Sequence, residues 1–157
     1  MSTDLKKEFW DRMEDIRSGM LGADNARSVP MSHFVDDDTP NTLWFITAKD
    51  TDISKAAGTG ADAEYIVSSK DEHLYARIHG RITVSHDDEQ LDDIWNAFAA
   101  AWFDGDKNDP DVQLLRMDLK EAEVWVTEGN LKFLYEIAKA NVTDEKPDAG
   151  KHGTLMF

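Results

Sequence analysis

The sequence predicts an α+β fold, with about six antiparallel strands closing a small barrel flanked by helices. Three observations lead there. Between Leu74 and Val84 the residues alternate, with Leu74, Ala76, Ile78, Gly80, Ile82 and Val84 on one face and Tyr75, Arg77, His79, Arg81 and Thr83 on the other. That is the period-2 pattern of a long, half-buried strand. After Ser85 the period changes, and Leu91, Ile94, Trp95, Phe98 and Trp102 recur at helical spacing behind a capping signal in which Ser85 precedes Asp88 by three. The remaining strand-like runs lie mostly a short turn apart, which favours antiparallel pairs.

Taken in order, the chain opens with a helix whose stripe is Leu5, Phe9, Met13, Ile16 and Met20, ended by Gly19 and Gly22. Arg27–Val35 reads as a strand, with Pro30 marking an edge or bulge. Asp36–Asn41 is a turn cluster and Thr42–Ala48 a second strand, so residues 27–48 are expected to form a hairpin. Thr51–Ala57 is a short helix loosened by Gly58 and Gly60. Glu64–Ser68 and Leu74–Val84 are the next strands. Behind the central helix Leu91–Phe103 come Val112–Met117 and Ala122–Val126, joined by Asp118-Leu119-Lys120-Glu121. A last amphipathic helix uses Leu131, Leu134, Tyr135 and Ala138. Residues 1–141 are thus expected to form a single domain, and 142–157 a polar, Gly-rich tail that is mobile or draped on a partner.

A chain of 157 residues, 41% hydrophobic and 10% aromatic, is large enough to bury a core. Its 17 basic residues against 32 acidic ones leave a net charge of −15, a field that repels nucleic-acid backbones and anionic membranes. Neither partner is expected. With no cysteine, a disulfide scaffold, thiolate metal sites and thiol nucleophiles are excluded. No apolar run suits a signal peptide or a membrane span, so the expected location is the cytoplasm.

Protein-based chemistry finds little support. Asp104–Asp109 begins like a calcium loop, but Asp109 stands where the turn glycine belongs and Leu115 where a bidentate glutamate belongs. The five histidines, His33, His73, His79, His86 and His152, show no metal-binding spacing. Nucleophile-elbow, Walker and dinucleotide-binding patterns are missing too. The strand face bearing Tyr75, Arg77 and His79, leading to a helix that ends in Trp102 and Phe103, can wall a flat ligand. The same pattern serves equally as ordinary surface and core. Any chemistry is therefore expected to belong to a bound cofactor.

The ordered motifs resemble the pyridoxamine 5′-phosphate oxidase-like FMN-binding split barrels, and within them the general stress protein branch. Arg27-Ser-Val-Pro-Met31 resembles that branch's Arg-x-Arg-Pro-Met strand, and Leu43-Trp-Phe-Ile-Thr47 its Leu-Trp-Phe-hydrophobic-Thr strand. Tyr75-Ala-Arg-Ile-His-Gly80, the helix ending Ala-Trp-Phe, Asp109-Pro-Asp111 with Leu114-Leu115-Arg116, and Ala122-Glu-Val-Trp125 resemble the segments that follow. The likeness runs from about residue 5 to 141. It implies a six-stranded antiparallel split β-barrel that dimerises, with FMN at the subunit interface and flavin-dependent oxidoreductase chemistry. By position, Arg27, Val29 and Met31 would line the phosphate and ring. Ile46 and Thr47 would offer main chain and a hydroxyl, and Thr51 would sit at the phosphate loop. Tyr75 and Trp102 would meet the ring plane, Trp102 from either subunit. In two places the pattern is broken: Val29 and Ile53 stand where basic residues are expected, leaving Lys49 and Lys55 as substitute cations. The alternative reading is a non-catalytic binding or sequestering protein that has lost its phosphate clamp, or that holds another planar ligand such as haem or a deazaflavin.

Overall fold

In the computed structural model the described residues are 2–95, 109–127 and 150–157. They form α1 (Ser2–Met13), β1 (Gly19–Ala23), β2 (Ala26–Met31), β3 (His33–Phe34), β4 (Thr42–Ala48) and α2 (Asp52–Gly58). After these come β5 (Ala61–Ser69), β6 (Leu74–Ser85), α3 (Asp88–Ile94), β7 (Val112–Val126) and β8 (Lys151–Met156). All the strands belong to one antiparallel sheet of order β2-β1-β5-β6-β7-β4-β3, with β8 pairing β7.

That order fixes the shape. β2 and β3 lie at opposite ends of the hydrogen-bonded series, yet a single residue, Ser32, separates Met31 from His33. One residue spans less than 4 Å, so the sheet must curl until its two ends meet. The inner face then becomes a closed core containing Leu21, Phe45, Tyr65, Ile78, Leu115 and Val124, each almost fully buried. Helix α1 lays Leu5, Phe9 and Met13 into this core, and α2 adds Ile53 and Ala57.

A buried hydrogen-bond node locks the seam. His33 Nε2 lies 2.8 Å from the Met13 carbonyl and Nδ1 lies 2.7 Å from the Tyr65 hydroxyl, which is itself 3.0 Å from the Met31 carbonyl. Carbonyls only accept, so Nε2 carries the imidazole proton and Nδ1 accepts from Tyr65, whose single proton is shared with Met31. The node ties the end of α1, both strands of the seam and β5 at one point. Gly19 makes room for it, because a Cβ there would lie 2.7 Å from Tyr65 Cζ.

Several elements differ from expectation. There are eight strands among the described residues, not six. The first helix stops at Met13, and the stripe's last member, Met20, belongs to β1, where it pairs with Pro30 and Ile66. Gly19 and Gly22 therefore mark close sheet contacts; a Cβ on Gly22 would meet Ser28 Oγ at 2.4 Å. The run Arg27–Val35 is two strands with different partners, so only His33 and Phe34 pair with β4 and the expected 27–48 hairpin shrinks to that pair. Val112–Met117 and Ala122–Val126 join into one strand. The residues between them form a bulge at Lys120, opposite Gly80, where a Cβ would lie 2.3 Å from the Asp118 carbonyl oxygen.

The bulge lets one edge of β7 serve two partners, with residues 112–118 pairing β4 and 121–126 pairing β8. Part of the expected polar tail is thus a strand of this chain's own sheet. Leu155 is buried, and the Phe157 ring sits 5.8 Å from Phe9. The cap of α3 is Asp87, accepting from the Gln90 amide at 3.1 Å, in place of Ser85. Its Leu91 and Ile94 pack on Trp44, Ile46 and Leu114, which face outward from the barrel. Trp95 ends α3 and is partly buried, outside the main core. Trp102, the rest of the central helix, nearly all of the calcium-like loop and the final amphipathic helix lie outside the described residues.

Burial pushes the His33 pKa down to about 4. The unfolded chain, with an ordinary histidine near 6.5, then binds the proton more readily than the fold. Stability contributed by neutral His33 is complete above pH 6.5 and is lost as pH falls toward 4. Urea unfolding should show about 2 kcal/mol lost between pH 7.5 and 5 that is missing from His33→Gln. Identical slopes in both proteins would contradict the node.

Candidate functional site

The split in the barrel opens where the seam ends. β3 pairs with β4 in the register His33↔Phe45 and Phe34↔Trp44. Continued backward, that register would set Met31 beside Thr47 and Val29 beside Lys49. Instead β2 turns away at Ser32 to pair with β1 alone, so Ile46, Thr47 and Ala48 have no strand on their seam side among the described residues. Two lips result, one of Arg27–Met31 and the other of Ile46–Lys49. Helix α2 packs against β2 at their far end.

The sequence-predicted residues fall on these lips unevenly. Met31 packs against the core and Val29 is 39% exposed at the edge. Thr47 is buried, whereas Ile46 faces the outer cluster beneath α3. The Lys49 amide donates to the Asp111 carbonyl at 2.9 Å and its side chain is exposed. Thr51 is the N-cap of α2: its hydroxyl accepts from the Ser54 amide at 3.2 Å and donates to the Ala48 carbonyl at 3.1 Å. Both functions of that hydroxyl are committed.

Tyr75 is not brought to this place within one subunit. It pairs with Trp125 near one end of β7, whereas Thr47 pairs with Gln113 near the other. The dozen residues between them are roughly 35–40 Å of strand. Tyr75 belongs to an outer-face group in which the Trp125 and His152 rings stack at 4.9 Å and the Arg77 guanidinium lies 5.6 Å from the Trp125 ring centre. Arg77 and His152 both pair with Glu123, and desolvation, then Arg77, hold the His152 pKa below its ordinary value. His79 is engaged by Glu64 at 2.7 Å.

Two clefts flank the β1–β2 turn, and the first reaches Arg27 and Ser28 of the β2 lip. One of about 730 Å³ lies along the outer face and takes in Arg27, Ser28, Glu64, His79, Lys120 and Glu121. The other, about 450 Å³, lies between α2 and the β1–β2 turn, with Lys55 and Arg81 among Asp24, Asp52 and Asp62. Sequence reasoning missed Arg81 and this turn, where Asn25 has a φ of 67°. An Asp-Asn pair is a turn signal that was legible; its neighbours in space were not. No group of three or more histidine or acidic side chains suited to a metal occurs among the described residues.

The family described as pyridoxamine 5′-phosphate oxidase like matches residues 4–148. The chain belongs to this family. A structure designated a general stress protein 26 from a Jannaschia species is 49% identical over 100% of both chains, with a TM-score of 0.84. A general stress family structure from Xanthomonas campestris is 32% identical over 83% of this chain and 92% of its own, with a TM-score of 0.73. A general stress FMN/FAD binding protein from Xanthomonas citri is 33% identical over 82% and 93%, also with a TM-score of 0.73. Among curated proteins none matches the chain. The chain has the split-barrel fold of these relatives.

The sequence resemblance would place a cation for an FMN phosphate at position 53. Ile53, where the pattern places a basic residue, is 3% exposed and packs in the barrel core. A lysine there would bury its charge, a large penalty without a partner. Ile53→Lys should therefore lower stability by more than about 3 kcal/mol, while exposed Asp52→Lys should cost under about 2 kcal/mol. Thr51→Ala should cost about 1 kcal/mol through the lost cap. Thermal unfolding of the three variants checks the order; an Ile53→Lys protein as stable as wild type would place that side chain in solvent.

Proposed function

We propose that this protein is a flavin-binding split barrel of the general stress branch, working as a homodimer in the cytoplasm, with any redox chemistry supplied by the flavin. The observation that supports the reading is the split: the β2 lip and the β4 lip diverge at Ser32, so that β4 has no strand on its seam side among the described residues. The FMN/FAD-binding relative, 33% identical, gives the ligand class. Flavins bring their own electron chemistry, so the chain's task is to hold the ring and control access to it.

Pairing with a second copy is supported by the outer face. Met20 and Ile66 are cross-strand partners, 41% and 37% exposed, and Pro30 extends their row on β2. An apolar row on a sheet is the kind of surface that a second subunit covers.

Two measurements on the freshly purified protein test these statements. Its visible spectrum should show the two bands of oxidised flavin, or acquire them on incubation with flavin. A Soret band would favour the haem-binding alternative, and a sample that stays colourless with every flavin offered would remove the flavin reading. Light scattering should return about twice the 17.7 kDa of one chain. A value near one chain at micromolar concentration would contradict the dimer.

A further inference from the structure

We infer that the site recognises the flavin by its ring and ribityl chain and is nearly indifferent to the terminal phosphate. This deepens the flavin reading above and rests on it. A phosphate dianion is held by charge-assisted hydrogen bonds, each contributing on the order of ten- to a hundredfold in affinity. The groups that could supply them are used within the fold or stand among carboxylates. Ile53 is core. The Thr51 hydroxyl gives its one proton to the Ala48 carbonyl and so has none for a phosphate. Arg27 lines the outer cleft with Glu64 and His79. Lys55 and Arg81 share their cleft with three carboxylates, Asp24, Asp52 and Asp62, and Lys49 is followed by Asp50, itself left-handed at φ 68°. The nearby carboxylates, in a chain of charge −15, oppose a second anion. A ring needs none of this: Met31 and Thr47 offer it the strand edges the split leaves open.

Titration of flavin fluorescence quenching, with riboflavin and FMN offered separately to the flavin-free full-length protein, tests the inference. The dissociation constants should agree within about tenfold, the equivalent of at most one phosphate contact. Asp52→Lys, an exposed change at the start of α2, should tighten FMN by about tenfold and leave riboflavin unchanged. Preference of the unaltered protein for FMN by a thousandfold or more would overturn the inference and leave the flavin reading standing. So would an Asp52→Lys variant that changes both ligands equally. Failure of both ligands to bind would overturn the flavin reading, and this inference with it.

Discussion

One covalent constraint organises the molecule: Ser32 is the only residue between β2 and β3, strands that lie at opposite ends of the sheet order. No flat or gently twisted sheet satisfies that link, because seven strands at about 4.8 Å spacing would hold the two ends tens of ångströms apart. Closure follows, and a core follows from closure. The buried contact of His33 with Tyr65 and Met13 holds the closure at its tightest point. Beyond it β2 pairs with β1 alone, and β4 has no strand on its seam side among the described residues. The split starts where β2 and β4 part, and its lips carry Arg27–Met31 and Ile46–Lys49.

A second device manages the other edge problem. β7 is fifteen residues long and would expose half of one edge beyond the end of β4. The bulge at Lys120, admitted by Gly80, bends the strand, and β8 takes over where β4 stops. The end of the chain thus covers backbone that would otherwise be open to pairing with another molecule. Phe157 donates its amide to the Lys120 carbonyl at 3.0 Å and packs its ring by Phe9, fastening β8 to α1 as well as to the sheet.

Local patterns in the sequence were sufficient for β4, β5, β6 and α2, where alternation or a cap coincides with the final burial. The burial of β6 alternates from Leu74 through Ile82 as its residue types do. Elements went unread where local signals agreed with a wrong structure. Met20 continues the helical stripe of α1 by coincidence of spacing, although it is an exposed strand residue. Asp118–Glu121 has the composition of a turn, and only the partner strand's Gly80 reveals a bulge. β8 buries little beyond Leu155, so its sequence looks like a tail. At the site, family likeness named residues along the chain, but their separation in space needed register. Tyr75 sits a dozen β7 residues from Thr47, and the side chain replacing an expected cation, Ile53, faces the core. Neither fact is a property of a motif.

The claim on which the rest turns is that the crevice opened at Ser32 receives the flavin ring. Amide chemical shifts of the isotopically labelled protein, followed during addition of riboflavin, test it most directly. The account predicts the largest changes at Val29, Met31, Ile46 and Thr47, the residues on the two lips. Changes centred on Arg77, Trp125 and His152, with the lips silent, would place the ligand on the outer face and contradict it.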